Sequence, residues 1–253
     1  MRLDEFHNYC KDLLCMDDFA AIDPSRNGIQ VERREPELKK LVFAVDASLQ
    51  TFRQAAELGA DLIFVHHGIF WGHESVLTGA HYRRVRFLME NDIALYAVHL
   101  PLDAHPELGN NGRMAAVLGL EPMEPFGWYK GRSIGFKGAL SEPVDLDEVL
   151  RRLGFEMEDC NAVLPFGRPE IRSIGIISGG SSRDIRQAIE EDLDLFISGE
   201  ADHTIYHEAQ ENRINMLALG HYASEIWGVS AMAERVAVDT GLETRFIDIP
   251  TGL

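Results

Sequence analysis

The chain has 253 residues, 45% of them hydrophobic, and a formal net charge of −17 at pH 7. That length suits one large domain or two of ordinary size, and the apolar fraction can fill a core without disulfides or a structural metal. The acidic balance argues against an extended nucleic-acid or anionic-membrane surface, since both need clustered Lys and Arg. A local phosphate pocket beside a bound cation stays open.

Cys10, Cys15 and Cys160 are odd in number and form no C-x-x-C pair, which fits a reducing compartment without a disulfide framework. The N-terminal residues lack the apolar stretch of a signal peptide. No apolar run approaches the ~20 residues of a membrane helix. The expectation is a cytoplasmic protein.

In chain order, the first strand is predicted at 41–45 and a helix from Phe52. A second strand, 61–65, closes on His66-His67-Gly68, and a third, 93–98, leads into His99-Leu-Pro-Leu-Asp103. Pro122, Pro125, Gly127, Gly131 and Gly135 then suggest a linker, with a strand beginning near Ile134. A helix follows over 145–153. A strand at 174–177 runs into Ser178-Gly-Gly-Ser-Ser182, and a helix starts at Ile185. The strand 214–219 leads into Gly220-His221-Tyr-Ala-Ser-Glu225. A last helix over 225–238, capped by Ser224, and a strand over 244–249 complete the pattern.

The two halves repeat each other. Residues 52–68 align without gaps on 185–201, with Arg, Gln, Ala, Glu, Asp and Leu coinciding; chance likeness between two amphipathic helices is the alternative. The short continuous apolar runs fit strands buried on both faces. The fold class is α/β, with duplicated three-layer α/β/α halves and mostly parallel sheets. The halves are placed at 1–125 and 126–253, the C-terminal segment being free to pack back on the first.

In open α/β sheets ligands gather beyond the carboxyl ends of strands, and three such ends here carry imidazoles and carboxylates. Those donors suit Zn, Mn, Fe or Ni. Neighbours on a strand face opposite ways, so His66 and His67 suggest two adjacent ions where Gly68 turns the chain. Asp103 reads as a carboxylate bridging two metals, or as a turn residue; His99 and His105 can replace or orient it. His221 and Glu225 lie four apart, on one side of a helical turn. Glu200, His203, His207 and Glu208 form a rival cluster or a solvated helix face. The 178–182 turn can cradle a phosphate or simply be tight. H-E-x-x-H and G-x-S-x-G are absent, which removes zincin-type proteolysis and serine-elbow catalysis.

Phe-Val-His-His-Gly-Ile-Phe-Trp (64–71), His-Leu-Pro-Leu-Asp-Ala-His (99–105), Gly-Gly-Ser-Ser (179–182) and Gly-His-Tyr-Ala-Ser-Glu (220–225) together resemble the YbgI-like family. Its members are labelled GTP cyclohydrolase I type 2 homologs. The resemblance runs through nearly the whole chain. It implies the duplicated three-layer fold, a dinuclear metal site facing the cavity of a ring-shaped homohexamer, and His66, His67, Asp103, His221 and Glu225 as ligands, Asp103 bridging. A domain inserted in the middle of some members has no room here. The leading functional expectation is a metal-dependent hydrolase with two divalent transition-metal ions, acting on a nucleotide-like or heterocyclic small molecule. Glu200, His99 and His203 are its open candidates for acid–base work. The alternative is a non-catalytic metal-binding assembly or adaptor.

Overall fold

The computed structural model describes residues 1–72 and 75–253. The chain forms two compact units, Met1–Leu102 with Gly228–Ile249, and Asp103–Trp227 with Pro250–Leu253.

The first unit contains α1 (Leu3–Leu13), β1 (Gly28–Val31), β2 (Lys40–Asp46), α2 (Leu49–Glu57), β3 (Leu62–His67), α3 (Gly79–Asn91), β4 (Ala94–Ala97) and β11 (Glu243–Phe246). Its sheet runs β1-β4-β3-β2-β11. β2, β3, β4 and β11 are parallel, and β1 joins the β4 edge antiparallel. The unbroken Leu-Ile-Phe-Val of β3 is explained by cover on both faces. Phe52 and Ala55 of α2 and Val85 and Leu88 of α3 pack with Val42, Ile63, Val65 and Leu95. Phe43, Phe64 and Tyr96 alternate to the opposite face, Phe43 tilted against Phe64 at 5.1 Å and Phe64 stacked on Tyr96 at 5.7 Å, with Phe6 of α1 edge-on to Tyr96 at 5.4 Å. Ser48 starts α2 as its N-cap, its hydroxyl accepting from Thr51 N at 3.0 Å.

The second unit contains α5 (Asn110–Leu118), β5 (Glu121–Tyr129), β6 (Arg132–Val144), α6 (Leu146–Leu153), β7 (Ala162–Pro165), β8 (Ile171–Ile176), α7 (Ile185–Glu190), β9 (Leu195–Ser198), α8 (Tyr206–Asn212) and β10 (Asn215–Ala218). Its sheet order is β5-β6-β8-β9-β10-β7. The parallel centre of β8, β9 and β10 is flanked by antiparallel strands. Helices α5 and α6 pack Met114, Leu118, Val149 and Leu153 on one face of this sheet. Ile185 and Ala188 of α7 and Ala209 of α8 cover the other. The chain passes from one unit to the other within the short α4 (Leu100–Asp103) and again within the long α9 (His221–Thr240).

The duplication is visible as identical register. Leu41 pairs with Leu62 and Phe43 with Phe64; at one fixed offset along the chain Ile174 pairs with Leu195 and Ile176 with Ile197. The aspartate before the middle strand behaves alike in both. Asp61 accepts from Lys39 N and Lys40 N at 2.7 and 2.9 Å, and Asp194 from Arg172 N and Ser173 N at 3.0 and 2.9 Å.

Two local expectations are corrected. The Pro- and Gly-rich stretch is no linker but the β5–β6 hairpin. β5 is an edge strand, where a proline costs no ladder bond on its outer side, and its register slips between Glu121 and Glu124. The last helix begins at His221, not at Glu225. Ser224 lies inside its first turn, donating to His221 O at 2.9 Å and accepting from Gly179 N at 3.0 Å.

Candidate metal centre

In the first unit, β3 ends in His66 and His67, and β4 beside it is followed by His99. Each of these three imidazoles brings a ring nitrogen within 4.8 Å of the other two. Ring centroids lie 4.6 Å apart for His66 and His67 and 5.0 Å for His66 and His99. All three rings are anchored through Nδ1. His66 donates to Val98 O at 3.0 Å, His67 to Asp46 at 2.9 Å and His99 to Asp23 at 2.9 Å. A carbonyl or carboxylate oxygen only accepts, so Nδ1 carries a proton, and in the neutral ring the lone pair is then on Nε2. That is the tautomer a metal-binding histidine needs, with its outer nitrogen tied to an oxygen.

Asp23 is itself fixed. It accepts from Ser25 N, Asn27 Nδ2 and Leu100 N besides His99. Burial pushes its carboxyl up, but His99, Asn27 and Ser25 together hold it below its ordinary value. The indole of Trp71 stands against His99 at 5.1 Å and is held by its N–H to Gly68 O at 3.0 Å.

Gly68 follows the histidines for a different reason than a sharp turn. Its φ is ordinary, but a Cβ there would overlap the Gln30 carboxamide. Gln30 Oε1 accepts from Ile69 N at 2.7 Å, so the close approach pins the chain just beyond His67.

In the second unit, His221 and Glu225 share the first turns of α9, His221 Nε2 lying 3.3 Å from Glu225 Oε1. On its other side His221 Nδ1 meets Glu200 at 2.5 Å. Glu225, working against burial and seconded by Glu200, pushes the imidazole up to about 9. Such a pocket favours positive charge, and a divalent cation can take the place of the proton. Asp103 is buried, its Oδ1 accepting from Asn110 Nδ2 at 2.8 Å and Ser178 Oγ at 3.1 Å. The imidazoles of the first unit and the imidazole and carboxylates of the second thus fit the donor chemistry of Zn, Mn, Fe or Ni.

The remaining candidates separate. Glu200 occupies the position of His67 in the duplicated register, and its partner is His221. His203 and His207 are exposed, and Glu208 pairs with Arg186 at 2.8 Å, so that helix face is solvated. His105 Nδ1 accepts from Glu107 N and Leu108 N, closing a turn. In the 178–182 turn, Gly179 N is given to Ser224 and Ser181 N to Gly179 O. A Cβ at Gly179 would overlap Glu225 Oε1, and one at Gly180 would lie 3.5 Å from Glu200. With two carboxylates against it, this turn shapes the His221–Glu225 pair and is ill suited to cradle phosphate.

Asp23, Asp46, Asn110 and Ser178 were not singled out individually in the sequence as partners of the candidate ligands. Asp46 had a signal, since it ends the strand 41–45 at the same sheet edge as His67.

The model of the Duf34/NIF3 (NGG1p interacting factor 3) family matches residues 1–252. The chain belongs to the Duf34/NIF3 family. Among its relatives, the GTP cyclohydrolase 1 type 2 homolog of Treponema pallidum is 40% identical, over 98% of this chain and 99% of its own. The Archaeoglobus fulgidus protein of the same name is 45% identical, over 94% and 96%. The solved structure of protein ybgI, described as of unknown function, superposes with a TM-score of 0.89 at 35% identity and covers both chains fully. The resemblance carried by the His-His-Gly and Gly-His-x-x-x-Glu motifs is therefore one of family and fold. No helix among the described residues is long and apolar enough to cross a membrane.

Proposed function

We propose that His66, His67, Asp103, His221 and Glu225 together hold two divalent transition-metal ions, with Asp103 shared between them, and that this Duf34/NIF3 protein is a metal-dependent hydrolase of a nucleotide-like or heterocyclic small molecule. The observation that carries the reading is the anchoring that the imidazoles share. His66, His67 and His221 each engage Nδ1 with an oxygen, which reserves Nε2 for a metal. When bound, two such ions acidify water and polarise the bond to be broken.

The protein's own groups supply orientation and proton transfer. Asp46 and Glu200 accept the Nδ1 protons of His67 and His221 and so fix the two rings. His99, steadied by Asp23, is our choice for the proton-accepting group at Nε2, because Glu200 is engaged with His221 and His203 is exposed. The name GTP cyclohydrolase 1 type 2 homolog, borne by relatives at 40% and 45% identity, supports purine nucleotides as the first substrates to try. The homohexamer implied by the YbgI-like resemblance belongs to the same proposal, and light scattering tests it.

The deciding experiment is metal analysis of the reloaded protein, followed by a screen of nucleoside triphosphates and cyclic nucleotides with Mn, Zn, Fe or Ni. We expect about two ions per chain, lost in His67→Ala, and turnover that His99→Gln abolishes while keeping the metal. Full metal with no turnover on any substrate would favour the adaptor reading. No metal in the wild type would end both.

A further inference from the structure

We propose that Asn110 and Ser178 are positioning residues that hold Asp103 so that it meets metal through a single oxygen, Oδ2. This rests on the metal reading above and specifies how one of its ligands is presented. Asn110 Nδ2, at 2.8 Å, and Ser178 Oγ, at 3.1 Å, converge on the same atom, Asp103 Oδ1. A carboxylate oxygen has about two lone-pair directions, so two donors fill that side of the group.

The clamp is built into the interior. Asn110 and Asn111 are 0% exposed, Asp103 6% and Ser178 7%. Burying two asparagine side chains is costly unless they are hydrogen-bonded, and each has defined work here. Asn111 is the frame. Its Nδ2 donates to Ile134 O at 2.7 Å and Asp103 O at 3.3 Å, while its Oδ1 accepts from Ser178 N at 2.7 Å. Ser178 and the Asp103 backbone are therefore fastened to one side chain, and the hydroxyl cannot drift from the carboxylate.

Asn110 and Asn111 open α5, whose N-terminal dipole also favours a carboxylate. Gly112, the next residue, packs so closely on the Pro106 carbonyl that a Cβ would overlap it. Both donors to Oδ1 are neutral. They set the direction of the carboxylate without cancelling the charge that a cation needs, which Arg or Lys in their place would do.

The test uses the full-length protein with Co2+ alone as the probe, because its visible absorption weakens as coordination number rises. Asn110→Ala and Ser178→Ala should each lower Co2+ affinity about 10- to 100-fold, as loss of a ligand's supporting partner does. Their loaded spectra should weaken as the released Oδ1 joins the coordination. Since both act on one atom, the double variant should lose less than the product of the single losses. Ser178→Thr keeps the hydroxyl and should retain the wild-type spectrum.

Should Asn110→Ala fail to fold, Ser178→Ala, which removes a single oxygen, carries the test. Wild-type affinity and spectrum in the folded alanine variants would overturn the clamp and leave the metal site standing. Equal losses in Ser178→Thr and Ser178→Ala would also overturn it, reducing the role to packing. Absence of Co2+ binding by the wild type would overturn both the clamp and the metal reading.

Discussion

His67 Nδ1 lies 2.9 Å from Asp46 Oδ1 because the two residues are register partners on neighbouring parallel strands. Side chains at paired positions of a parallel sheet project to the same face. The strand register that builds the sheet therefore also sets the tautomer of the imidazole. Removing the carboxylate should weaken metal binding without unfolding the protein, since the Asp46 side chain is 39% exposed. We expect Asp46→Ala to lower metal affinity about 10- to 100-fold with an unchanged melting temperature of the metal-free form. Chelator competition and thermal melts check the two halves of that statement.

Metal removal should lower the melting temperature of the wild type. A ligand held only by the folded state contributes about 2.7 kcal/mol when its free concentration is about a hundred times its dissociation constant. Calorimetry before and after dialysis against chelator, with metal loss verified by elemental analysis, reads this directly. An unchanged melting curve after verified loss would contradict it.

Asp194 offers a stability test remote from the ligands. It accepts from Arg172 N, Ser173 N and Ser173 Oγ with its side chain only 12% exposed. Asp194→Ala leaves the Arg172 and Ser173 amides without their acceptor and should cost about 1 kcal/mol in urea unfolding. Asp194→Asn keeps an acceptor oxygen and should cost less. Equal losses would point to the charge instead of the hydrogen bonds.

Gly179 sits at φ +63°, and a Cβ there would overlap Glu225 Oε1. Gly179→Ala should therefore displace a proposed ligand as well as strain the backbone, at about 1–2 kcal/mol for a left-handed residue. The expected result is a lower melting temperature together with weakened metal binding. A variant that melts lower but binds metal normally would show that Glu225 has room to move.

Cys160 gives a pH-dependent prediction. Burial first, and the neighbouring Asp159 charge second, push its thiol up to about 11. Only the thiolate reacts, so its alkylation rate should rise about tenfold per pH unit between about pH 8 and about pH 10, without a plateau. Site-resolved mass spectrometry separates it from Cys10 and Cys15. Asp159→Asn should bring the profile to lower pH.

Much of the sheet framework could be read from the sequence because strands covered on both faces leave unbroken apolar runs. Leu41 to Val45 and Leu62 to Val65 are such runs, and both lie within the strands observed. The repeat was also legible, since Asp61 and Asp194 recur before equivalent strands and make equivalent backbone contacts. The hairpin was hidden by Pro122 and Pro125, which read as breakers until β5 is known to be an edge. The start of α9 was hidden because Gly220 and His221 look like loop residues when only local propensity is weighed. The His99–Asp23 pair is not legible in the sequence because it joins residues far apart along the chain. No local pattern encodes such a contact.

The shared register has a consequence for how this chain can change. In each unit the alignment of strands is secured near their starts, by Asp61 in one and Asp194 in the other, while the candidate chemistry sits at their far tips. The tips have in fact parted company, His66-His67 in one copy standing where Gly199-Glu200 stands in the second. A substitution at a tip exchanges one donor for another without disturbing the contacts that align the strands. A designer can therefore alter the donor set of one copy while using the other as an internal control for strand alignment.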